Sequence, residues 1–434
     1  MTATALDTIF ALSSAPGRAG IAVIRISGSK ARSVQKLIKG GLPDSRMAEL
    51  RTVFDFTTNE RIDLALIMVF PAPRSFTGEN IVEIQCHGGR AVVDAILGLL
   101  TRIEGFRPAE RGEFTRRAVE NGRIDLTQAE ALADLIDAET DAQRRQALRQ
   151  HEGALGDFYE ELRGRLIKAA AWLEASIDFP DEEIPEGAVE GARAELASIH
   201  NAITGHLKDG RRGEILREGL HVAVIGAPNA GKSSLVNALA QREVAIVNDA
   251  PGTTRDVIDV HLDLKGFPVI LSDTAGLREA QDAVEEEGIR RAKTRAENAD
   301  IRLLVVDGVA PLMAKISGPE IVVFTKADLA RKQDAGLWVS AKTGEGLDDL
   351  IDLLATRASE GLSGDAPPLT RARHRHALEE AISALSKALE LDQRNPEIVA
   401  EEVRRALRAL GRITGRVDLD ELLDVVFQDF CIGK

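Results

Sequence analysis

One octapeptide constrains this chain more than any other stretch: Gly226-Ala-Pro-Asn-Ala-Gly-Lys-Ser233. It follows an apolar run, Leu220 to Ile225, that reads as a buried strand, and it leads into Ser234-Leu-Val-Asn-Ala-Leu-Ala240, which reads as a helix. Strand, glycine-rich turn and helix N-terminus are the setting in which a P-loop holds phosphates. Glycine at 226 and 231 lets the backbone wrap closely, with its N–H groups pointing inward. Lys232 can reach the outer phosphates and Ser233 is placed to hold Mg²⁺.

At 434 residues the chain exceeds one ordinary core, so two to three domains are expected. No apolar run approaches membrane-spanning length, and the N-terminus lacks a charged-then-apolar signal pattern. Cys86 and Cys431 give neither a disulfide framework nor metal-ligand spacing. These features point to a soluble, cytoplasmic protein. A net charge of −14 argues against broad, non-specific nucleic-acid binding. Arg371-Ala-Arg-His-Arg-His376 is the one local basic cluster, and a solvated helix start explains it as well as an RNA contact does.

Residues 1–118 read as an α/β unit. Ile21–Ile26, Asp63–Phe70 and Ile81–Cys86 are its strands, and Gly88-Gly89 turns into an apolar helix, Ala91–Leu100. Beyond Asn121-Gly122 the texture turns helical. Thr127-Gln-Ala-Glu130 has capping-box spacing. Leu155, Phe158, Leu162, Leu166, Ala169 and Leu173 form one apolar stripe. Helical sequence at 119–216 and again at 359–434, with Val403, Leu407 and Leu410 on one face, brackets a segment of different character at 217–358. That segment has strands at 220–226, 269–273, 301–307, 321–325 and 337–340, mostly separated by helical stretches. A doubly wound, mostly parallel sheet inserted into one helical domain is expected.

The inserted segment specifies its base. Asp273-Thr-Ala-Gly276 fits the D-x-x-G turn at the γ-phosphate. Thr325-Lys-Ala-Asp328 stands where GTP-binding proteins carry N-K-x-D, so Asp328 would accept from guanine N1 and N2 hydrogens that adenine cannot offer. Ser340-Ala-Lys342 fits the loop closing over guanine O6. Threonine at 325 departs from the usual asparagine. It predicts a poorly braced loop and weaker affinity, which Thr325→Asn would restore about fivefold. Leu277 follows Gly276, so the water-orienting glutamine of Ras-like enzymes is missing. One carboxylate among Glu279, Asp282, Glu285, Glu286 and Glu287 is left to do that work.

Gly252-Thr-Thr-Arg-Asp256, Asn229 and the terminal Phe430-Cys-Ile-Gly-Lys434 carry a resemblance. So do Pro16-Gly-Arg18, Arg25-Ile-Ser-Gly28, Ser75-Phe-Thr-Gly78 and Cys86-His-Gly-Gly89. From end to end the chain resembles the MnmE (TrmE) family of tRNA-modifying GTPases. The resemblance implies an N-terminal α/β domain that binds tetrahydrofolate and dimerises, a helical domain, and an inserted Ras-like GTPase domain. It implies a GTP phosphohydrolase, stimulated by potassium, that works with the flavoprotein MnmG in a heterotetramer. Together they would place an aminomethyl or carboxymethylaminomethyl group on C5 of the wobble uridine of certain tRNAs, with a 5-formyl- or methylene-tetrahydrofolate as one-carbon source.

Carried over by motif, GTP contacts fall on Asn229, Ala230, Gly231, Lys232, Ser233 and Ser234 of the P-loop. They continue on Asn248, Asp249, Ala250, Pro251, Gly252, Thr253 and Thr254 of the switch loop, and on Asp273, Thr274, Ala275 and Gly276. Around the base they fall on Thr325, Lys326, Ala327, Asp328, Ser340, Ala341 and Lys342. Mg²⁺ falls on Ser233 and Thr254, and K⁺ on Asn229, Asn248, Ala250 and Thr253. A fixed cation there supplies the charge an arginine finger gives elsewhere, with Arg255 the competing finger. Glu285 takes the water-orienting role. Folate falls on Arg25, Glu83, Arg123 (a position usually lysine) and Lys434. Cys431, beside that contact, reads either as a catalytic thiol or as a small buried hydrophobe. Cys86 reads as structural. A regulatory switch of the Era type, assisting ribosome assembly, would share the same GTP domain but would need a dedicated RNA-binding module, and none is legible.

Overall fold

A computed structural model describes residues 7–178, 187–208, 211–242, 244–246, 259–273, 299–309, 320–329, 336–359, 367–391, 395–417, and 423, 426, 427, 430 and 433. The chain divides into two compact units, Met1–Ala133 with Gly411–Lys434, and Asp134–Leu410.

The first unit is built on a six-stranded sheet of order β3-β4-β5-β2-β1-β6. Its strands are β1 (Thr8–Leu12), β2 (Ala19–Ser27), β3 (Glu49–Phe54), β4 (Arg61–Phe70), β5 (Ile81–Gly88) and β6 (Phe106–Pro108). Alternation decides its faces. Ile24, Ile26, Val82, Ile84 and Cys86 point into the core, and the intervening Arg25, Glu83 and Gln85 point away from it. Helix α1 (Arg90–Leu100) covers the apolar face with Val93, Ile96, Leu99 and Leu100, spaced at helical intervals. Cys86 is part of this core: burial, together with the charge of Asp63, pushes its thiol up to about 11. That fits a structural residue.

Helix α2 (Glu113–Glu120) carries an ion-pair chain. Arg107 and Arg117 both grip the Glu113 carboxylate, at 2.6 and 3.0 Å, and Arg117 reaches on to Glu79 at 3.1 Å. Burial alone would raise the Glu113 pKa, but the Arg107 hydrogen bond, the Glu110 N–H and the charge of Arg117 outweigh it and hold it low. Glu79 accepts from Ser27 Oγ at 2.7 Å, and Ser27 Oγ also meets Thr77 Oγ1 at 2.7 Å. The Ser75–Glu79 loop is thereby fixed over the end of β2.

Helix α3 (Leu126–Asp137) starts differently from expectation. The reciprocal cap is Asp125 with Gln128: Gln128 N donates to Asp125 Oδ1 at 2.9 Å, and Asp125 N donates to Gln128 Oε1 at 3.0 Å. Thr127 and Glu130 are buried within the helix. A second capping box, Thr140 with Gln143, opens α4 (Asp141–His151).

In the second unit, α5 (Ala154–Asp178), α6 (Ala188–Leu207), α7 (Arg212–Glu218), α10 (Ala372–Glu390) and most of α11 (Pro396–Thr414) flank the sheet domain in sequence. The stripe of α5 buries Tyr159 rather than Phe158, and that of α11 buries Ala406 rather than Leu407. Tyr159 Oη meets His206 Nδ1 at 3.2 Å, and His206 Nε2 donates to Pro367 O at 2.7 Å. Arg193 of α6 donates to the carbonyls of Leu389 and Leu391. Helices on either side of the inserted segment therefore pack on each other, as expected. Within the basic cluster, Arg371 pairs with Asp134 at 2.7 Å and Arg375 with Glu214 at 3.1 Å, which ties these arginines to the packing of the helices.

The inserted sheet has order β12-β11-β10-β7-β9-β8. Its strands are β7 (Leu220–Ile225), β8 (Asp259–Leu264), β9 (Phe267–Asp273), β10 (Ile301–Asp307), β11 (Glu320–Thr325) and β12 (Leu337–Trp338). All neighbours are parallel except β8 and β9. Helices α8 (Lys232–Ala240) and α9 (Leu347–Ser359) supply apolar faces to its core. Side chains from the α3–α4 corner meet this domain and the helix before it: Glu139 Oε2 lies 3.1 Å from His261 Nδ1 of β8, and Gln143 Nε2 donates to Arg217 O of α7 at 3.0 Å. Ala142 N donates to Gly266 O, in the β8–β9 turn, at 3.1 Å.

Candidate functional site: a phosphate loop joined to a guanine corner

β7 ends where the glycine-rich loop begins. Gly226 has φ +149°, and a Cβ there would lie 2.2 Å from Val305 O, so only glycine lets the loop leave the sheet against β10. Asn229 takes a left-handed turn, φ 64°, and its side chain is exposed. Helix α8 opens on Gly231 with no side-chain cap, leaving the amides of its first turn for an anion. Lys232 is 8% exposed, and Nζ donates to Gly226 O at 2.8 Å and Ala227 O at 2.9 Å, which sets the ammonium inside the loop. Ser233 and Ser234 stand exposed on the first turn. A helix-start hydroxyl beside a buried ammonium fits a Mg²⁺-bound triphosphate.

The guanine corner sits at the end of β11. Thr325, 4% exposed, donates through Oγ1 to Ala230 O of the P-loop at 2.6 Å, and Val306 O lies 3.2 Å from the same hydroxyl. The unbraced loop expected from the missing asparagine is therefore not found: the hydroxyl supplies the donor. The informative substitution is Thr325→Val, which keeps the shape and removes the donor. It is expected to weaken GTP and GDP binding about fivefold, measured by equilibrium titration.

Asp328 is exposed, and Oδ1 accepts from Ser340 Oγ at 2.7 Å. Ser340 Oγ also accepts from Thr343 N at 3.2 Å, and Ala327 N donates to Val339 O at 3.1 Å. The loop carrying Ala341 and Lys342 is thus tied to Asp328, the aspartate of the T-K-A-D motif. Asp273 ends β9, beside Val224 of β7. Lys326 Nζ donates to Asp307 Oδ2 at 2.6 Å, a contact with no signature in the local sequence.

In the first unit, Arg25 and Glu83 are cross-strand partners and pair at 2.9 Å, half-buried. The Arg25 guanidinium lies 5.6 Å from the centre of the Phe76 ring and 5.8 Å from that of Phe114. Arg123 is exposed, and its stem runs beside Gly78, two residues past Phe76. Glu79 and Arg117, which motif reading missed, thus fix a loop that bears on both arginines. Gly433 comes to the same sheet. Ser13 Oγ donates to its carbonyl at 2.8 Å, and at φ +98° a Cβ would lie 2.1 Å from Leu12 O. Leu12 and Ala11 pair with Ile24 and Arg25 of β2. Phe427 and Phe430 pack with Val119, Leu126 and Ala129. Asn248 to Arg255, Thr274 to Gly276, Glu285, Cys431 and Lys434 lie outside the described residues.

Two corners at the ends of the parallel strands, one a glycine-rich loop around a buried lysine and one where Asp328 meets Ser340, fit a P-loop GTP-binding protein. Comparison with known proteins places it further. A family model described as the MnmE helical domain matches residues 126–431, and one described as the GTP-binding protein TrmE N-terminus matches residues 8–123. The tRNA modification GTPase MnmE of Parvibaculum lavamentivorans is 52% identical, covering 99% of this chain and 100% of that one. Its counterpart in Rhodospirillum rubrum is 50% identical over the same shares. Among solved structures, the G domain of the T. maritima FeoB iron transporter is 28% identical, covering 32% of this chain and 99% of that one, at a TM-score of 0.25. The chain belongs to the MnmE family. Among the described residues, no helix is long and apolar enough to cross a membrane.

Proposed function

We propose that this chain is a GTP-hydrolysing enzyme of tRNA modification. In this reading it acts with the flavoprotein MnmG to build an aminomethyl or carboxymethylaminomethyl group on C5 of the wobble uridine. Residues 1–118 bind a tetrahydrofolate and dimerise, 119–216 and 359–434 form the helical domain, and 217–358 bind and cleave GTP. The observation that carries the reading is the Ser340–Asp328 pair beside a threonine bonded to the P-loop, a corner fitted to guanine rather than adenine. Membership of the MnmE family supports the tRNA side.

Each residue has a stated task. Lys232 and the amides of α8 neutralise the phosphates, and Ser233 with Thr254 holds Mg²⁺. Asn229, Asn248, Ala250 and Thr253 hold K⁺, which supplies positive charge near the reacting phosphate. Glu285 orients the attacking water. Arg25, Glu83, Arg123 and Lys434 bind the folate: Glu83 offers acceptors to the amino-pyrimidine edge, and the cations answer carbonyl or carboxylate groups. Cys431 stands beside that site.

Two measurements test this. Mass spectrometry of wobble nucleosides from a deletion strain should show loss of the C5 substituent. Normal nucleosides with defective ribosomes would favour an Era-like switch instead. GTP turnover should be fast in potassium and poor in sodium, whose radius is smaller; equal rates in both buffers would remove the cation from the scheme.

A further inference from the structure

The backbone of the guanine corner is held on both sides of Lys326. Thr325 is bonded to the P-loop, Ala327 N to Val339 O, and Asp328 to Ser340. Lys326 itself sits in the left-handed region, φ 59°, where a side chain is strained. Its ammonium is held from a different strand. Asp307 ends β10 directly across from Thr325, and Oδ2 accepts from Nζ at 2.6 Å while Oδ1 accepts from Val309 N at 3.0 Å. One carboxylate thus closes its own turn with one oxygen and tethers the lysine with the other. The hydrogen bond from Lys326 and that from Val309 N hold the Asp307 pKa below its ordinary value.

A purine whose edge is held by Asp328 must pass close to the side chain two residues earlier. A lysine stem stretched toward an anchored carboxylate offers that ring an apolar bed, with the charge kept at the far end. Left untethered, the same stem would sample many rotamers and lose entropy when the base arrives.

We propose that Asp307 is a positioning residue for guanine-nucleotide binding, acting through Lys326. The proposal rests on the reading of this domain as a GTP site. Because the partners are partly exposed, with side chains 38% and 24% accessible, the tether is sensitive to salt.

Asp307→Asn separates the two jobs of the carboxylate, since an asparagine oxygen still accepts from Val309 N while the charge is gone. The expected result is about a tenfold rise in Kd for both GTP and GDP, with kcat at saturating GTP unchanged. On a Lys326→Met background, Asp307→Asn should add no further loss, because the tether then has nothing to hold. High salt should bring the wild-type affinity toward that of Asp307→Asn. Unchanged Kd in the single variant would overturn the proposal. Losses that add in the double variant would overturn it too, because Asp307 would then act other than through Lys326. Thermal melting of each variant identifies a folding defect, and a melting loss that tracks the whole affinity loss counts against the proposal. A wild-type chain that binds no guanine nucleotide would instead overturn the GTP reading on which it rests.

Discussion

Deleting Cys431 to Lys434 is expected to abolish wobble-uridine modification while GTP affinity stays at the wild-type level. Gly433 is seated on the first unit's sheet: its carbonyl accepts from Ser13, a Cβ there would lie 2.1 Å from Leu12 O, and Leu12 and Ala11 pair with Ile24 and Arg25. Gly433, the residue before Lys434, is thus held on the sheet that also carries Arg25 and Glu83. Loss of a charged contact from Lys434 should weaken binding of 5-formyltetrahydrofolate about tenfold. No phosphate or guanine contact is assigned to these four residues, so the GTP site provides an internal control. Intact folate binding with full modification would show the tail to be dispensable. Joint loss of all three activities would indicate misfolding, because Phe430, immediately before the deletion, packs on Val119, Leu126 and Ala129.

The second large effect concerns hydrolysis. Glu285→Ala should leave GTP and GDP affinity near normal and slow turnover by about 10²-fold or more, the scale on which a lost proton-transfer or positioning group is felt. Single-turnover measurements at saturating GTP isolate this step from nucleotide exchange. A normal rate would move the role to another carboxylate of the same acidic run. Glu285→Gln adds a finer test: an amide still orients water by hydrogen bonding but is a far weaker base, so partial rescue would assign orientation rather than proton abstraction.

Much of the architecture was legible because parallel strands are buried on both faces and read as continuous apolar runs. β7, β10 and β11 were found this way, with ends within a residue of the observed ones. β1, β3, β6 and β8 were not. β3 is a half-buried edge strand with Glu49 and Arg51 in it, and β8 alternates Asp259, His261 and Asp263 with apolar residues, so neither stands out as an apolar run. The helix cap at Asp125 illustrates a different limit. Asp125–Gln128 and Thr127–Glu130 overlap and both satisfy the capping-box spacing, and only the burial of Thr127 and Glu130 decides between them. In the site, the glycine-rich loop after β7 and the corner after β11 were legible as motifs by their spacing. Their braces were not: Thr325 bonds to a carbonyl 95 positions away, and a backbone acceptor has no residue type to betray it. The pairs of Arg371 with Asp134 and Arg375 with Glu214 were hidden for a related reason, since long-range ion pairs leave no periodicity.

The bond from Ala142 N to Gly266 O makes the β8–β9 hairpin a lever with a fixed end. β8 begins at Asp259, a few positions after the Asn248–Thr254 segment, and residues just ahead of that segment are laced to it through Ile246 N to His261 O and Asp263 N to Val244 O. Its far end is the turn that the first turn of α4 holds by a backbone amide. A strand is stiff along its length, so a pull at one end reaches the other with little loss. Any slide of β8 by more than a fraction of an ångström must either drag α4 along or release that amide and the Glu139–His261 contact. A shift of β8 would in that way reach the helices as a displacement at one corner.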